Sequence, residues 1–195
     1  KKLKDVRILI NCADTTKNTI AELLFKKKKK NIIAIDSLGI ISLKRSDLND
    51  EKKYLAGFTN SEQKEGSLAD ALVEADVFIG VSKPGLLTAP IIKTMNEKVI
   101  FALANPTPEI FPDVAKEAGA FIVATGRSDF ANQVNNVLAF PGIFRGLLDA
   151  RIKVVTNEMC IAAARAIAGV VTDPNVENIL PSPFDKNVSR VVAEA

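Results

Sequence analysis

VRILINCADTTKNTIAELLFKKKKKNIIAID, residues 6–36, decides the fold. Its opening VRILIN is a continuous apolar run rich in β-branched side chains, the pattern of a strand buried on both faces. From Thr15 to about Lys27, Ile20, Ala21, Leu23 and Leu24 recur at helical spacing. NIIAID (31–36) is a second buried strand that ends on an acid. Strand, helix and strand in this order make a β-α-β unit, with its first turn between Asn11 and Asn18.

The same alternation continues outward. LADALVEA (68–75) is an amphipathic helix leading into DVFIGVS (76–82), a third buried strand. KVIFALANP (98–106) repeats the strand pattern, FPDVAKEAG (111–119) is a helix stopped by glycine, and FIVATGRS (121–128) is another strand. Residues 40–66 are polar, with turns around a short helix. TNEMCIAAARAIAGVV (156–171) predicts a long helix capped by Thr156 and ended before Asp173-Pro174. The expectation is an α/β protein with a Rossmann-like, doubly wound, mostly parallel sheet and helices on both faces. We expect residues 1–195 to form one domain, since 195 residues suit a single full core.

Composition narrows the function classes. With 47% hydrophobic and 25% charged residues, the chain reads as an ordinary globular protein, with no apolar run long enough to span a bilayer and no signal peptide. Cys12 and Cys160 are isolated thiols, which fits a cytoplasmic location better than a disulfide scaffold. A net charge of +3 is too mild to argue for nucleic acid. The chain has no histidine, which removes the usual general base and any histidine-ligated metal site.

In a doubly wound sheet, ligands bind at the carboxyl ends of the strands, so the strand-end residues are the candidates. Asp36 lies 22 residues beyond Asp14, where an acid hydrogen-bonds an adenosine ribose and favours NAD over NADP; Ser37 stands beside it. The competing role is capping of the following turn. Gly80, Val81 and Ser82 end the third strand with small residues that allow close approach, and Asn105, at the edge of the next, carries both a donor and an acceptor. GRSDFANQVNNVLAFPGIFRGLLDAR (126–151) packs Asn132, Gln133, Asn135 and Asn136 ahead of an apolar helix. Two readings stand there: a polar pocket, or a helix start capped by Asp129 or Asn132. Arg127 is the nearest cation, suited to steering an anionic acid. Lys26–Lys30 reads as a solvated turn or an anion-binding patch, and no aromatic residue interleaves the run. Tyr54 reads as surface or packing.

DVFIGVSKPGLLT (76–88), ALANPTPEI (102–110), GRSDFANQVNNVLAFPGIFRG (126–146) and LPSPFD (180–185), in this order, resemble the bacterial-type malic enzymes, over their C-terminal NAD(P)-binding domain. The resemblance implies oxidative decarboxylation of malate to pyruvate with NAD, or NADP, when joined to an N-terminal domain that residues 1–195 do not include. It implies that this missing domain carries the divalent metal and the proton-handling lysine and tyrosine, leaving no catalytic residue and no metal ligand here. It implies that Ser82 and Asn105 meet the cofactor, that Asn105, Asn135 and Asn136 meet the substrate, and that the full-length protein is a homodimer. No nucleic-acid or membrane partner is expected.

One turn departs from the pattern. The resemblance implies G-x-G-x-x-G, and this chain has Cys12, Asp14 and Lys17 in the glycine slots. The first glycine permits the tight turn, the second lets backbone approach pyrophosphate, and the third lets helix pack on strand. Asp14 sets a carboxylate where phosphate belongs, and with Thr15, Thr16 and Lys17 it forms a good N-cap. Weakened NAD binding is therefore expected. Two other readings remain: Thr15, Thr16 and Lys17 donate to phosphate in a non-standard loop, or the chain is a non-catalytic or engineered scaffold of the same fold.

Overall fold

A computed structural model describes residues 5–12, 16–26 and 31–195. Its elements alternate as expected: β1 (Ile8–Cys12), α1 (Thr16–Lys26), β2 (Ile32–Asp36), β3 (Gly39–Ile40), α2 (Asp50–Phe58), α3 (Leu68–Leu72), β4 (Val77–Val81), α4 (Ala89–Lys93), β5 (Val99–Ala102), α5 (Pro112–Glu117) and β6 (Ile122–Thr125). Three helices follow: α6 (Phe140–Asp149), α7 (Asn157–Val170) and α8 (Lys186–Glu194). The six strands form one sheet in the order β3-β2-β1-β4-β5-β6. β1 pairs parallel with β2 and β4, and β4 pairs parallel with β5. β3, a two-residue edge strand not expected from the sequence, pairs antiparallel with β2, with Asp36 opposite Gly39. This is the doubly wound arrangement predicted above.

The chain divides into two compact units, Lys1–Val123 and Ala124–Ala195. In the first, alternate strand residues feed opposite faces of the sheet. Leu9, Ile35, Phe78 and Ile100 pack with Leu72 of α3, Ile92 of α4 and Ala115 of α5. Ile8, Ile10, Ile32 and Ala34 pack on the other face with Ala21 of α1 and Leu55 and Ala56 of α2. Strands covered on both faces lose the apolar–polar alternation, which is why VRILIN and NIIAID read as unbroken runs.

The second unit is helical. α6 lies against α8 through glycines: a Cβ on Gly142 would come within 2.7 Å of the Ser189 carbonyl, and one on Gly146 within 2.7 Å of the Ala193 carbonyl. Leu138, Ala163, Val188 and Val192 form its buried cluster. Thr156 caps α7 as expected, its hydroxyl accepting from the Met159 amide. No described helix is long and apolar enough to cross a membrane.

Candidate functional site

Because β1, β2, β4 and β5 run parallel, their carboxyl ends open on one edge of the sheet. The strand order reverses between β1 and β4, and a crevice at such a switch point is where doubly wound folds hold ligands. Asp36, Gly80–Ser82 and Asn105 all belong to this edge, as the sequence predicts. Asp14 and Thr15 lie outside the described residues, as do Lys27–Lys30; Cys12 ends β1, and Thr16 and Lys17 open α1.

Asp36 is the most heavily engaged of these residues. Its side chain is 5% exposed. Oδ1 accepts from the Leu38 amide and from Arg45, each at 2.9 Å; Oδ2 accepts from Arg45 at 3.2 Å and from Lys52 at 2.7 Å. Arg45 is shared with Asp47. Burial alone would raise the Asp36 carboxyl, but the hydrogen bonds from Arg45, Lys52 and Leu38 outweigh it and hold it at about 2. The capping role weighed above is thus present, together with a double cation clamp. Ser37 sits exposed in the adjacent turn.

The ends of β4 and β5 are tied by a residue the sequence reading passed over. Glu109 is fully buried; its Oε1 accepts from the Ser82 amide and its Oε2 from the Ala104 amide, both at 3.0 Å. A Cβ at Gly80 would lie 2.5 Å from this carboxyl group. The glycine is therefore needed to admit Glu109 from inside the protein. Ser82 is half-buried and Asn105 exposed at the rim, with a cis peptide joining Asn105 to Pro106. The signal available was a lone acid between Pro108 and Ile110, both buried.

In the second unit the asparagines divide their labour. Asn132 is buried with a φ of 56°. Its Oδ1 accepts from the Ile179 amide at 2.9 Å and its Nδ2 donates to the Val176 carbonyl at 2.8 Å. With both ends of its amide spent on that loop, it caps no helix. Asp129 does not cap one either, because Arg127 grips it through two hydrogen bonds of 2.8 and 2.7 Å. The cap is Asn135, whose Oδ1 accepts from the Val137 amide to start a single 3-10 turn, Asn136–Leu138. α6 then begins with Pro141 in its first turn. Gln133 is bridged to Thr125 and donates to the Gly126 carbonyl; Asn136 is exposed. Tyr54 is exposed and meets Phe58 edge-on, matching its packing role. Cys160 is a free thiol. Among the described residues no three acidic or thiol side chains cluster as a metal site.

The family model described as "Malic enzyme, NAD binding domain" matches residues 8–195. The chain belongs to that family. It is 48% identical to the bifunctional malic/malolactic enzyme of Bacillus subtilis, over 100% of this chain and 48% of that one. It is 42% identical to the NAD-dependent malic enzyme of Geobacillus stearothermophilus, over 100% of this chain and 41% of that one. The crystal structure of the NAD-dependent malic enzyme of Thermotoga maritima superposes with a TM-score of 0.93 at 45% identity, covering 100% of this chain and 52% of that one. The chain thus spans about half the length of the malic enzymes it matches.

Proposed function

We propose that this chain is the dinucleotide-binding part of an enzyme that oxidises malate and releases carbon dioxide and pyruvate, with NAD preferred over NADP. Residues 1–195 act as one cofactor domain in this reading, and the rest of the enzyme supplies the metal ligands and the proton-handling groups. The observation that carries it is the polar rim at the strand-order reversal, where Asp36, Ser82 and Asn105 share one edge of the sheet.

The residues present fit a dinucleotide at one end better than at the other. Toward the nicotinamide, Val81, Ser82 and Asn105 offer a shallow edge with a hydroxyl and an amide. At the adenosine end, Asp36 and Ser37 are in place, but both Asp36 oxygens are already engaged by cations. Bound NAD supplies the acceptor for the hydride from the carbinol carbon of malate. This chain's part is to bind and orient: Asn105, Asn135 and Asn136 hydrogen-bond the substrate's oxygens, and Ser82 holds the cofactor. The altered turn weakens cofactor binding in this reading, because its sequence offers an acid at position 14 and side chains at Cys12 and Lys17 where glycines would let backbone approach pyrophosphate. A cytoplasmic, homodimeric full-length protein completes the reading.

Calorimetric titration with NAD, without metal, tests it against the Cys12→Gly/Asp14→Gly/Lys17→Gly variant. The variant is expected to bind at least about tenfold tighter, the gain from restoring close backbone approach to the pyrophosphate and removing the carboxylate beside it. Equal tight binding by both would refute the weakened turn, and binding by neither would refute the cofactor role.

A further inference from the structure

Glu109 has no solvent exposure, and burial of so polar a group is costly unless it is hydrogen-bonded, as its two carboxyl oxygens are here to backbone amides. Its two oxygens go to amides on two different loops, the one leaving β4 at Ser82 and the one leaving β5 at Ala104. Its own backbone joins the same segments: the Glu109 carbonyl accepts from the Leu87 amide at 3.2 Å, and the Pro108 carbonyl accepts from the Gly85 amide at 3.3 Å. The Leu103 amide donates to the Gly80 carbonyl at 2.8 Å, closing the lattice from the strand side.

From this geometry we infer that Glu109 is a positioning residue: it fixes the separation of the β4 and β5 loops and so the spacing of Ser82 and Asn105 that the cofactor's nicotinamide half must fit. The inference rests on the cofactor reading above. An acid is required chemically. Two converging N–H donors need two acceptor atoms, and glutamine would turn one acceptor into a donor aimed at an N–H. Aspartate, one methylene shorter, cannot span both loops. Gly80 is the other half of the device, since a Cβ there would lie 2.5 Å from the Glu109 carboxyl group and 2.6 Å from the Phe78 ring, so the packing around the carboxylate must shift.

The test uses the full-length protein carrying this chain and compares NAD with ADP-ribose, which keeps the adenosine and pyrophosphate but lacks nicotinamide. Glu109→Gln is expected to weaken NAD about tenfold, the effect of one misdirected charge-assisted hydrogen bond. ADP-ribose affinity stays within about twofold, because its contacts lie on the β1 and β2 side. Gly80→Ala, with the acid intact but displaced, reproduces the split and carries the test should Glu109→Gln not fold. Equal losses for both ligands, as a general loosening of the fold produces, would overturn the inference. So would unchanged NAD affinity in either folded variant. Should the parent bind neither ligand, the cofactor reading falls and the inference with it, whereas a parent that binds both alongside an unresponsive variant sinks the inference alone.

Discussion

The two compact units spend their apolar residues differently. In Lys1–Val123 Phe78, Leu9, Ile10 and Ile100 lie between sheet and helices and meet almost no water, while Leu38, Tyr54 and Phe121 stay exposed singly. In Ala124–Ala195 the buried cluster is small, and α6 carries an apolar stripe outward: Phe140 is 62% exposed, Phe144 48% and Leu148 74%. These residues recur every fourth position, so they share one face, and the rings of Phe140 and Phe144 meet at a tilt of 51° with centroids 4.6 Å apart. The opposite side of α6 is occupied by its glycine contact with α8. A sheet covered on both faces completes its own core; a helix that is apolar on two sides needs a second cover.

The largest expected effect follows from that contrast. Phe140→Ser/Phe144→Ser/Leu148→Ser leaves the 195-residue chain within about 1 kcal/mol of its parent in urea unfolding, since exposed side chains contribute little. In the full-length protein the same triple substitution lowers stability by roughly 4.5–9 kcal/mol, at about 1.5–3 kcal/mol for each large side chain returned to water. Full-length protein that loses nothing would show that the stripe is never covered.

A second test separates the two sides of α6. Alanine normally stabilises a helix relative to glycine by about 0.5–1 kcal/mol. At Gly142 the added methyl meets the Ser189 carbonyl and Val192, whose nearest atoms stand 2.7 and 2.6 Å from the ideal position. Gly142→Ala is therefore expected to cost roughly 1–3 kcal/mol, as overpacking does. Gly169 in α7 has open space around its Cα, and Gly169→Ala should show the ordinary gain. Thermal melts of the pair read the difference directly; a stabilising Gly142→Ala would mean that α8 yields easily and the close approach is incidental.

The sheet unit was also the more legible of the two in the sequence. Buried parallel strands announce themselves as runs such as VRILIN and NIIAID, because both faces demand apolar residues and no polar alternation interrupts them. Strand-end residues followed from topology alone, so Asp36, Ser82 and Asn105 fell on one edge. What was hidden depends on long-range pairing. Glu109 reaches Ser82 across 27 positions and Asn132 reaches Ile179 across 47, and neither separation leaves a local pattern. Arg45 and Lys52 sit in a polar stretch whose composition resembles any solvated loop, yet they clamp Asp36. The two-residue strand β3 is too short for any periodicity to show. The sequence offers Asp129 or Asn132 as a cap beside the polar-pocket reading, and hides Asn135, because three asparagines compete locally and the 176–179 loop decides which amide is already spent.

Charge draws the last contrast between the units. The ion pairs of α6 and α8, Arg145–Asp149 and Arg190–Glu194, are solvent-exposed and contribute little. Asp36 in the sheet unit is buried against Arg45 and Lys52, so its pKa of about 2 lies below the roughly 3.9 of an unfolded chain. A carboxyl with a depressed folded pKa stabilises fully above its unfolded pKa, and that contribution fades as pH falls toward the folded value. The difference corresponds to roughly 2 kcal/mol, present at neutral pH and lost between about pH 4 and pH 2. Asp36→Asn should therefore be less stable than the parent by about that amount at pH 7, with the two urea midpoints converging as pH approaches 2. Asp149→Asn, by contrast, should track the parent within about 0.5 kcal/mol across the same range. Parallel curves for Asp36→Asn and the parent would mean that Arg45 and Lys52 draw their order from elsewhere, and the β2 end would then have its acid available to a ribose rather than committed to the fold.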